Sequence, residues 1–257
     1  MNKNMVVSVN PHIYASQTTQ TIMRDVLIAL FPAVIASIVF FGIQALLVEV
    51  VCVAVAVLCE WAFEKITKRT CTITDLSAAV TGLILALNLP ASIPLWQAAF
   101  GSFVAIVVVK QFFGGIGQNF ANPAITARVI MLVAFSGAMT TWTVPAFADA
   151  TSAATPLAIL SAEGAAGQLP TLLQMFLGAR GGSMGETSCL ALLIGGIYLV
   201  YRKVISWHTP VAFIGTVLVL TALLGQQPLY QVMAGGLFIG AIFMATDYTT
   251  SPPTPAG

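Results

Sequence analysis

Long apolar stretches separated by short polar breaks run through most of the chain. Eight of them approach the roughly 20 mainly apolar residues that a helix needs to cross a bilayer. Lipid offers no hydrogen-bond partner to the backbone, so each stretch is expected to be helical. The predicted spans are 25–43, 45–63, 76–90, 95–113, 122–139, 187–201, 209–225 and 229–246. The pattern predicts an all-α polytopic membrane bundle of about eight transmembrane helices, forming a single domain over residues 1–257.

One connection is much longer than the others and covers residues 140–186. A loop of more than about 15 residues is usually functional or disordered. Within it, the run LPTLLQMFL, residues 169–177, is typical of a short amphipathic helix lying on the membrane, which favours an ordered loop.

Composition agrees with the hydrophobic pattern. The 257 residues are 58% hydrophobic and 7% charged, whereas soluble domains carry about 25% charged residues. The chain is therefore predicted to be an integral membrane protein. The net charge of +1 indicates neither a nucleic-acid nor an acidic partner, because the charges are sparse and divided between loops, and no nucleic-acid partner is predicted. The first 20 residues are polar and lack the apolar core of a cleaved signal peptide.

Basic residues mark one side of the predicted bundle. With the N-terminus in the cytoplasm, all the basic residues next to the spans fall on the cytoplasmic side, as the positive-inside rule requires. These residues are Lys3, Arg24, Lys65, Lys68, Arg69, Lys110, Arg202 and Lys203. This orientation places the long loop, 140–186, on the outer face of the membrane.

Ionisable side chains within the spans are costly and are therefore functional candidates. Glu49 and Glu60 lie in the second span and Arg128 lies in the fifth. Glu60 precedes Trp61 and is expected to mark the cytoplasmic interface. Arg128 is either a functional group or a side chain that reaches the interface or pairs with carbonyls of a neighbouring helix.

The four cysteines, Cys52, Cys59, Cys71 and Cys189, form no C-x-x-C pair. Zinc and iron–sulfur sites need clustered thiolates at short spacing. No metal site is therefore predicted, and the thiols are expected to be buried apolar groups.

Two glycine-rich breaks adjoin predicted spans: GGIGQNFANPA, residues 114–124, and GGSMGETS, residues 181–188. Asn122 before Pro123 is typical of a helix N-cap. An alternative is a helix N-terminus directed at an anion or a cofactor ring. In the second break, Glu186 suits the first helical turn. Capping leaves its glycines unexplained, and they indicate close packing or a ligand.

The stretch DATSAATPL, residues 149–157, is the most polar part of the long loop. Thr155 before Pro156 predicts an N-cap followed by a short helix through Leu160. Capping gives no role to Asp149 or Ser152. The run also matches the pattern Asp-x-x-Ser/Thr-Gly/Ala-Ala-Thr/Ser, with Ala153 at the position usually held by Gly.

With this pattern and the two glycine-rich breaks, the chain resembles the NqrB/RnfD family of membrane subunits over essentially its whole length. The resemblance implies that a periplasmic flavin transferase attaches FMN to Thr155 as a phosphoester. It implies that the transferase recognises Asp149, Ser152 and Ala154. It also implies a second, non-covalent riboflavin, for which no residues are assigned. Neighbours of the flavin or the transported ion are expected among Asn122, Arg128, Gly185, Glu186 and Thr187.

The resemblance further implies an electron-transfer subunit of a redox-driven ion pump in the bacterial cytoplasmic membrane, of the Rnf ferredoxin:NAD⁺ oxidoreductase type. Such a subunit is not catalytic alone, and its implied partners are RnfA, RnfB, RnfC, RnfE, RnfG, the flavin transferase and membrane lipid. Family members have about ten helices with an internal repeat and continue past the motif ATDYTTSPPTPAG, so the sequence is expected to be incomplete. The similarity between LWQAAFGS, 95–102, and LYQVMAGG, 229–236, agrees with either a repeat or chance.

Three alternatives remain. A subunit of the sodium-pumping NADH:quinone oxidoreductase shares the motifs, but the short polar N-terminus favours the Rnf type. A small-solute channel or transporter would also use interrupted helices. A purely structural subunit is the third alternative. Flavin at Thr155 would separate the two electron-transfer types from the other two functions.

Overall fold

The computed structural model describes residues 17–143, 155–161, 169–248 and 250, and every regular element in these ranges is helical. The all-α prediction is thereby confirmed. The α-helices are α1 Thr19–Phe41, α2 Ile43–Ile66, α3 Ser77–Leu87, α4 Leu95–Phe103, α5 Pro123–Ala134, α6 Ser136–Thr140, α7 Pro156–Ser161, α8 Leu172–Leu177, α9 Cys189–Tyr201, α10 His208–Leu223, α11 Pro228–Met233 and α12 Leu237–Ile239. A 3₁₀ turn at Ile73–Asp75 precedes α3.

Two of these helices, α1 and α2, are long and apolar enough to cross a membrane. They form an antiparallel hairpin around Gly42, whose φ of 71° allows the chain to reverse between them. Five further apolar helical segments are shorter than a full span. The number of membrane crossings and the cytoplasmic N-terminus stay predictions.

The interior is organised around α3, which packs mainly against α2, while α1 packs against α9. Nine of the eleven residues of α3 are buried. Glycine allows α3 to approach α2 closely, because a Cβ on Gly82 would lie 2.8 Å from the carbonyl oxygen of Cys52. Small residues at helix crossings are the usual means of close packing between membrane helices.

The predicted fourth span, 95–113, is helical but changes its winding. The α-helix α4 continues as a π-helix over Val104–Gln111, and the N–H of Phe112 donates to the carbonyl of Val107 at 3.0 Å. A π-helical turn contains about one residue more than an α-helical turn. The side chains after Phe103 therefore face directions that an α-helical pattern does not predict.

Two other predicted spans are broken. The fifth, 122–139, stops at Ala134 because Phe135 leaves the helical region, with φ −131° and its ring packed edge-on against Trp96 and Phe100. The eighth, 229–246, divides into α11, α12 and a π-helix over Gly240–Met244. The segment Ala234–Gly236 interrupts it, and Gly235 adopts φ 68°. This segment is called the α11–α12 break below.

The short predicted spans 76–90 and 187–201 form helices over Ser77–Leu87 and Cys189–Tyr201, and the loops next to them are buried. The two loops pair with each other through their backbones. The N–H of Gly185 donates to the carbonyl of Leu87 at 2.6 Å, and that of Met184 donates to Leu89 at 3.1 Å. The end of α3 and the loop before α9 thus meet inside the protein.

The charged side chains at the opposite end of α3 form a buried cluster. Lys110 donates to Glu60 Oε1 and to Ser77 Oγ, at 2.6 Å each, and Gln111 donates to the same Glu60 oxygen at 2.7 Å. Glu60 is fully buried and pairs within the protein, and its position at the cytoplasmic interface stays a prediction. Lys110 and Gln111, which donate to it, both lie on the π-helix.

Candidate functional site

Thr155 lies at the N-terminus of the short helix α7, as predicted. Its Oγ1 accepts a hydrogen bond from the N–H of Ala158 at 3.3 Å, and Pro156 occupies the first helical position. The side chain is half-buried. Asp149, Ser152 and Ala154, the predicted recognition residues, lie outside the described residues.

The helix that follows Thr155 packs against the α11–α12 break. A Cβ added to Gly235 would lie 3.0 Å from Leu157 Cδ1, and one added to Gly236 would lie 4.0 Å from Arg128 Nη1. The break therefore brings α7 and the Arg128 guanidinium to the same backbone segment, although both are distant from it in sequence.

Arg128 is half-buried on α5, and no residue in the described ranges forms a hydrogen bond or an ion pair with its guanidinium. A membrane-embedded cation without an acidic partner is costly and marks a functional site by default. The sequence left three possibilities for Arg128: a functional role, a side chain that reaches the interface, or pairing with carbonyls of a neighbouring helix. The structure supplies no such carbonyl among the residues it describes.

The buried segment Ala179–Ser188, called the glycine loop below, connects α8 to α9. A Cβ on Gly185 would lie 2.7 Å from Leu87 Cβ, so close packing explains this glycine. The Glu186 carboxylate accepts from the hydroxyl and the backbone N–H of Ser183, at 3.1 and 3.4 Å. Thr187 is fully buried and donates to the carbonyl of Met184 at 3.1 Å. Glu186 precedes the N-cap of α9, which is Ser188, instead of lying in its first turn.

Arg180 also belongs to the glycine loop, and sequence reasoning did not select it. Its side chain is 2% exposed, and its Nη2 donates to the carbonyl of Glu186 at 2.5 Å. The only sequence signal is that Arg180 is the one basic residue of the long loop, directly before two glycines. An isolated basic residue in a loop normally faces water, and only the fold shows that this one is buried.

Asn122 lies at the other end of α5 and acts as its N-cap. Its Oδ1 accepts from the N–H groups of Ala124 and Ile125, at 3.1 and 3.3 Å, and its Nδ2 donates to Asp247 at 3.3 Å. A cavity of about 90 Å³ adjoins Asn122, Asp247 and Lys110. These contacts are those of a helix cap, and proximity of Asn122 to a flavin stays a prediction.

Glu49 is a second acidic side chain buried in α2. Its Oε1 accepts a hydrogen bond from Ser37 Oγ at 2.5 Å, while its Oε2 has no partner in the described part of the chain. Sequence patterns offered no partner for this carboxylate, and Ser37 on α1 is now identified as one. Among the residues that the structure describes, no three His, Cys, Asp or Glu side chains are grouped so that they could hold a metal.

The residues around the α11–α12 break fit an anionic group attached to Thr155. The Thr155 hydroxyl is at the start of α7, and Arg128 approaches the same segment without a counter-ion in the described ranges. A phosphoester carries a negative charge and strong acceptor oxygens, which are the features that an arginine binds. The chemistry of the described side chains is therefore compatible with a flavin phosphate at this position.

The chain is similar to several known membrane subunits. It is 45% identical to a subunit of the Na⁺-translocating ferredoxin:NAD⁺ oxidoreductase complex of Acetobacterium woodii, over 99% of this chain and 80% of the relative. It is 43% identical to a subunit of the proton-translocating ferredoxin:NAD⁺ oxidoreductase complex of Clostridium ljungdahlii, over 100% of this chain and 83% of the relative. A subunit of the ion-translocating oxidoreductase complex of Stutzerimonas stutzeri is 38% identical, over 92% of this chain and 77% of the relative. With residues 6–257 matching the family model as well, the chain belongs to the NQR2, RnfD, RnfE family.

Proposed function

We propose that the chain is an electron-transfer subunit of an ion-translocating ferredoxin:NAD⁺ oxidoreductase complex of the Rnf type, and that it carries FMN on Thr155. The relatives named above are subunits of ion-translocating oxidoreductase complexes, which supports the subunit role. The observation that carries the flavin proposal is the position of Thr155. Its helix packs on the same break that Arg128 approaches.

The attachment is a transfer of FMN from FAD, with the oxidation states unchanged. The Thr155 oxygen forms a bond to the FMN phosphorus, the P–O bond between the two phosphates of FAD breaks, and AMP leaves. The hydroxyl proton is released. The transferase recognises Asp149, Ser152 and Ala154 in this proposal, and the reaction takes place on the outer face.

Bound FMN supplies one- and two-electron redox chemistry, and the protein determines its position and its electrostatic surroundings. The Arg128 guanidinium favours the negatively charged phosphoester. The packing of Leu157 on Gly235 fixes the start of α7 against the bundle. Gly185, Glu186 and Thr187 lie in the glycine loop, and their proximity to the flavin stays a prediction. A non-covalent riboflavin also stays a prediction, without assigned residues.

Assembly with RnfA, RnfB, RnfC, RnfE and RnfG in the bacterial cytoplasmic membrane completes the proposal. The coupling ion is left open, because the two relatives at 45% and 43% identity are named for Na⁺ and for protons.

The first test is flavin fluorescence of the denatured protein on a gel. A host that expresses the transferase is expected to give a fluorescent band for the unaltered chain and a dark band for Thr155→Ala, because the phosphoester needs this hydroxyl. Thr151→Ala is the matched control, since it removes a hydroxyl at an unspecified position of the same motif. A dark band for the unaltered chain would remove the covalent FMN from the proposal.

The second test is electron transfer in membranes. Thr155→Ala is expected to lower ferredoxin-dependent NAD⁺ reduction to background, while Thr151→Ala retains it. The amount of assembled complex, measured on a native gel, is expected to be the same for both variants. Full activity of Thr155→Ala in the presence of a dark band would show that electrons do not pass through this flavin.

A further inference from the structure

The buried guanidinium of Arg180 has donors that the described residues do not use. Its Nη2 is engaged by the carbonyl of Glu186, but Nε and Nη1 are buried without a hydrogen-bond partner in the described ranges. The side chain is 2% exposed, so bulk water does not reach these donors. Nearly all buried polar groups in native proteins are hydrogen-bonded, and an exception needs a cause.

The nearest candidate counter-ion is turned away from this guanidinium. The Glu186 carboxylate is bound by Ser183, and no ion pair joins it to Arg180 among the residues described. Among the described residues, the Arg180 guanidinium donates only to the neutral backbone carbonyl of Glu186. A buried charge that lacks a compensating charge is strongly destabilising, and arginine does not lose its proton to relieve the cost. This arrangement favours an anion beside Arg180.

The glycine loop and the Thr155 helix adjoin the same part of the chain. A Cβ on Gly185 of the glycine loop would lie 3.0 Å from Ile239 Cδ1, just after the break, and the Cys189 thiol donates to the carbonyl of Met233 at 3.6 Å. Met233 ends α11 directly before the break. On the other side of the break, Gly235 contacts Leu157, two residues after Thr155. The glycine loop that carries Arg180 and the helix α7 thus adjoin the same segment, residues 233–239.

We propose that Arg180 binds the phosphoryl oxygens of the flavin phosphoester on Thr155, and that it is a positioning residue for this cofactor. The inference rests on the proposed function, because the anion is the group attached to Thr155. Arg128 approaches the break from α5, and the glycine loop that carries Arg180 adjoins the break, so in this proposal the phosphate is held between two cations. The flavin ring is thereby kept in one orientation, although its only covalent link is a flexible phosphoester.

The test is a double-mutant cycle between the anion and the cation, read as thermal stability. Arg180→Gln is made both in the flavin-loaded protein and in the flavin-free Thr155→Ala protein. In the loaded protein it is expected to lower the melting temperature by roughly 5–10 °C, as for the loss of a charge-assisted contact. In the flavin-free protein it removes an uncompensated charge, so the melting temperature is expected to stay the same or rise.

Arg180→Lys is the second variant, because it keeps the charge and loses most of the directed donors. Its loaded form is expected to show fluorescence less anisotropic than that of the unaltered protein, and more accessible to quenching by acrylamide. The denaturing gel must remain fluorescent for both Arg180 variants, since attachment depends on Thr155.

The outcomes separate the two proposals. A dark gel for the unaltered chain overturns the flavin on Thr155 and this inference with it. A fluorescent gel with equal melting shifts in both backgrounds overturns only the inference. In that case Arg180 would donate to the Glu186 carbonyl or pair with a carboxylate of the protein itself. Unchanged anisotropy and quenching in loaded Arg180→Lys would also count against it.

Discussion

A Lys110→Met protein is expected to lose about 3–5 kcal/mol of unfolding free energy, because it leaves the Glu60 carboxylate buried without its cation. Lys110 Nζ lies 2.6 Å from Glu60 Oε1, and the two side chains are 3% and 0% exposed. Among the described residues, Glu60 would retain only the Gln111 amide as a donor, at 2.7 Å. The same substitution removes the hydrogen bond from Lys110 to Ser77 Oγ, which keeps its own bond to Asp75 Oδ1 at 2.6 Å.

The measurement is the melting temperature of the purified protein in detergent. The matched control is the double variant Lys110→Met with Glu60→Gln, in which neither charge remains. Replacing both partners of a buried ion pair is often neutral, whereas removing one is costly. We therefore expect the double variant to recover most of the lost stability. A single and a double variant that melt at the same temperature would show that the charge pairing is not the cause.

The pair also shows what the sequence could not reveal. The sequence places Lys110 at the end of an apolar span and Glu60 near the end of another, and both positions are typical of a wet interface. Their meeting depends on the π-helix over Val104–Gln111, which no hydrophobic pattern predicts. It also depends on the packing of this π-helix against α2, which is a contact between distant parts of the chain.

Local features were predictable from local residues. Thr155 with Pro156 predicted the start of α7, and Asn122 with Pro123 predicted the start of α5, because capping involves only neighbouring residues. The apolar stretches predicted an all-helical chain. The helix ends were predicted less accurately where a glycine or an aromatic contact interrupts the helix, as at Gly235 and Phe135.

The candidate site was predictable only in part. The motif singled out Thr155, and the cost of a cation in a span singled out Arg128. Nothing local indicated that α7 packs on the α11–α12 break, because this contact joins residues far apart in the chain. Arg180 was missed for a related reason, since its burial comes from the backbone pairing of the glycine loop with Leu87 and Leu89.

A Gly195→Ala protein is expected to lose about 3 kcal/mol of unfolding free energy, at the upper end of the usual cost of overpacking. An added Cβ on α9 would lie 2.1 Å from the carbonyl oxygen of Ala29 and 3.0 Å from its carbonyl carbon. Both are backbone atoms of α1, so no change of side-chain rotamer relieves the contact, and the two helices must separate.

Gly215→Ala is the matched control, because Gly215 also lies within a helix but a Cβ there has nothing within 4 Å. It is expected to stabilise α10 slightly, by up to about 1 kcal/mol, since alanine has the higher helix propensity. Changes of melting temperature with opposite signs in the two variants would identify the close approach of α1 and α9 as the cause. A decrease of the same size in both variants would contradict it. Because α9 starts directly after the glycine loop, the separation is also expected to loosen the site of Arg180, which the acrylamide quenching of the flavin would report.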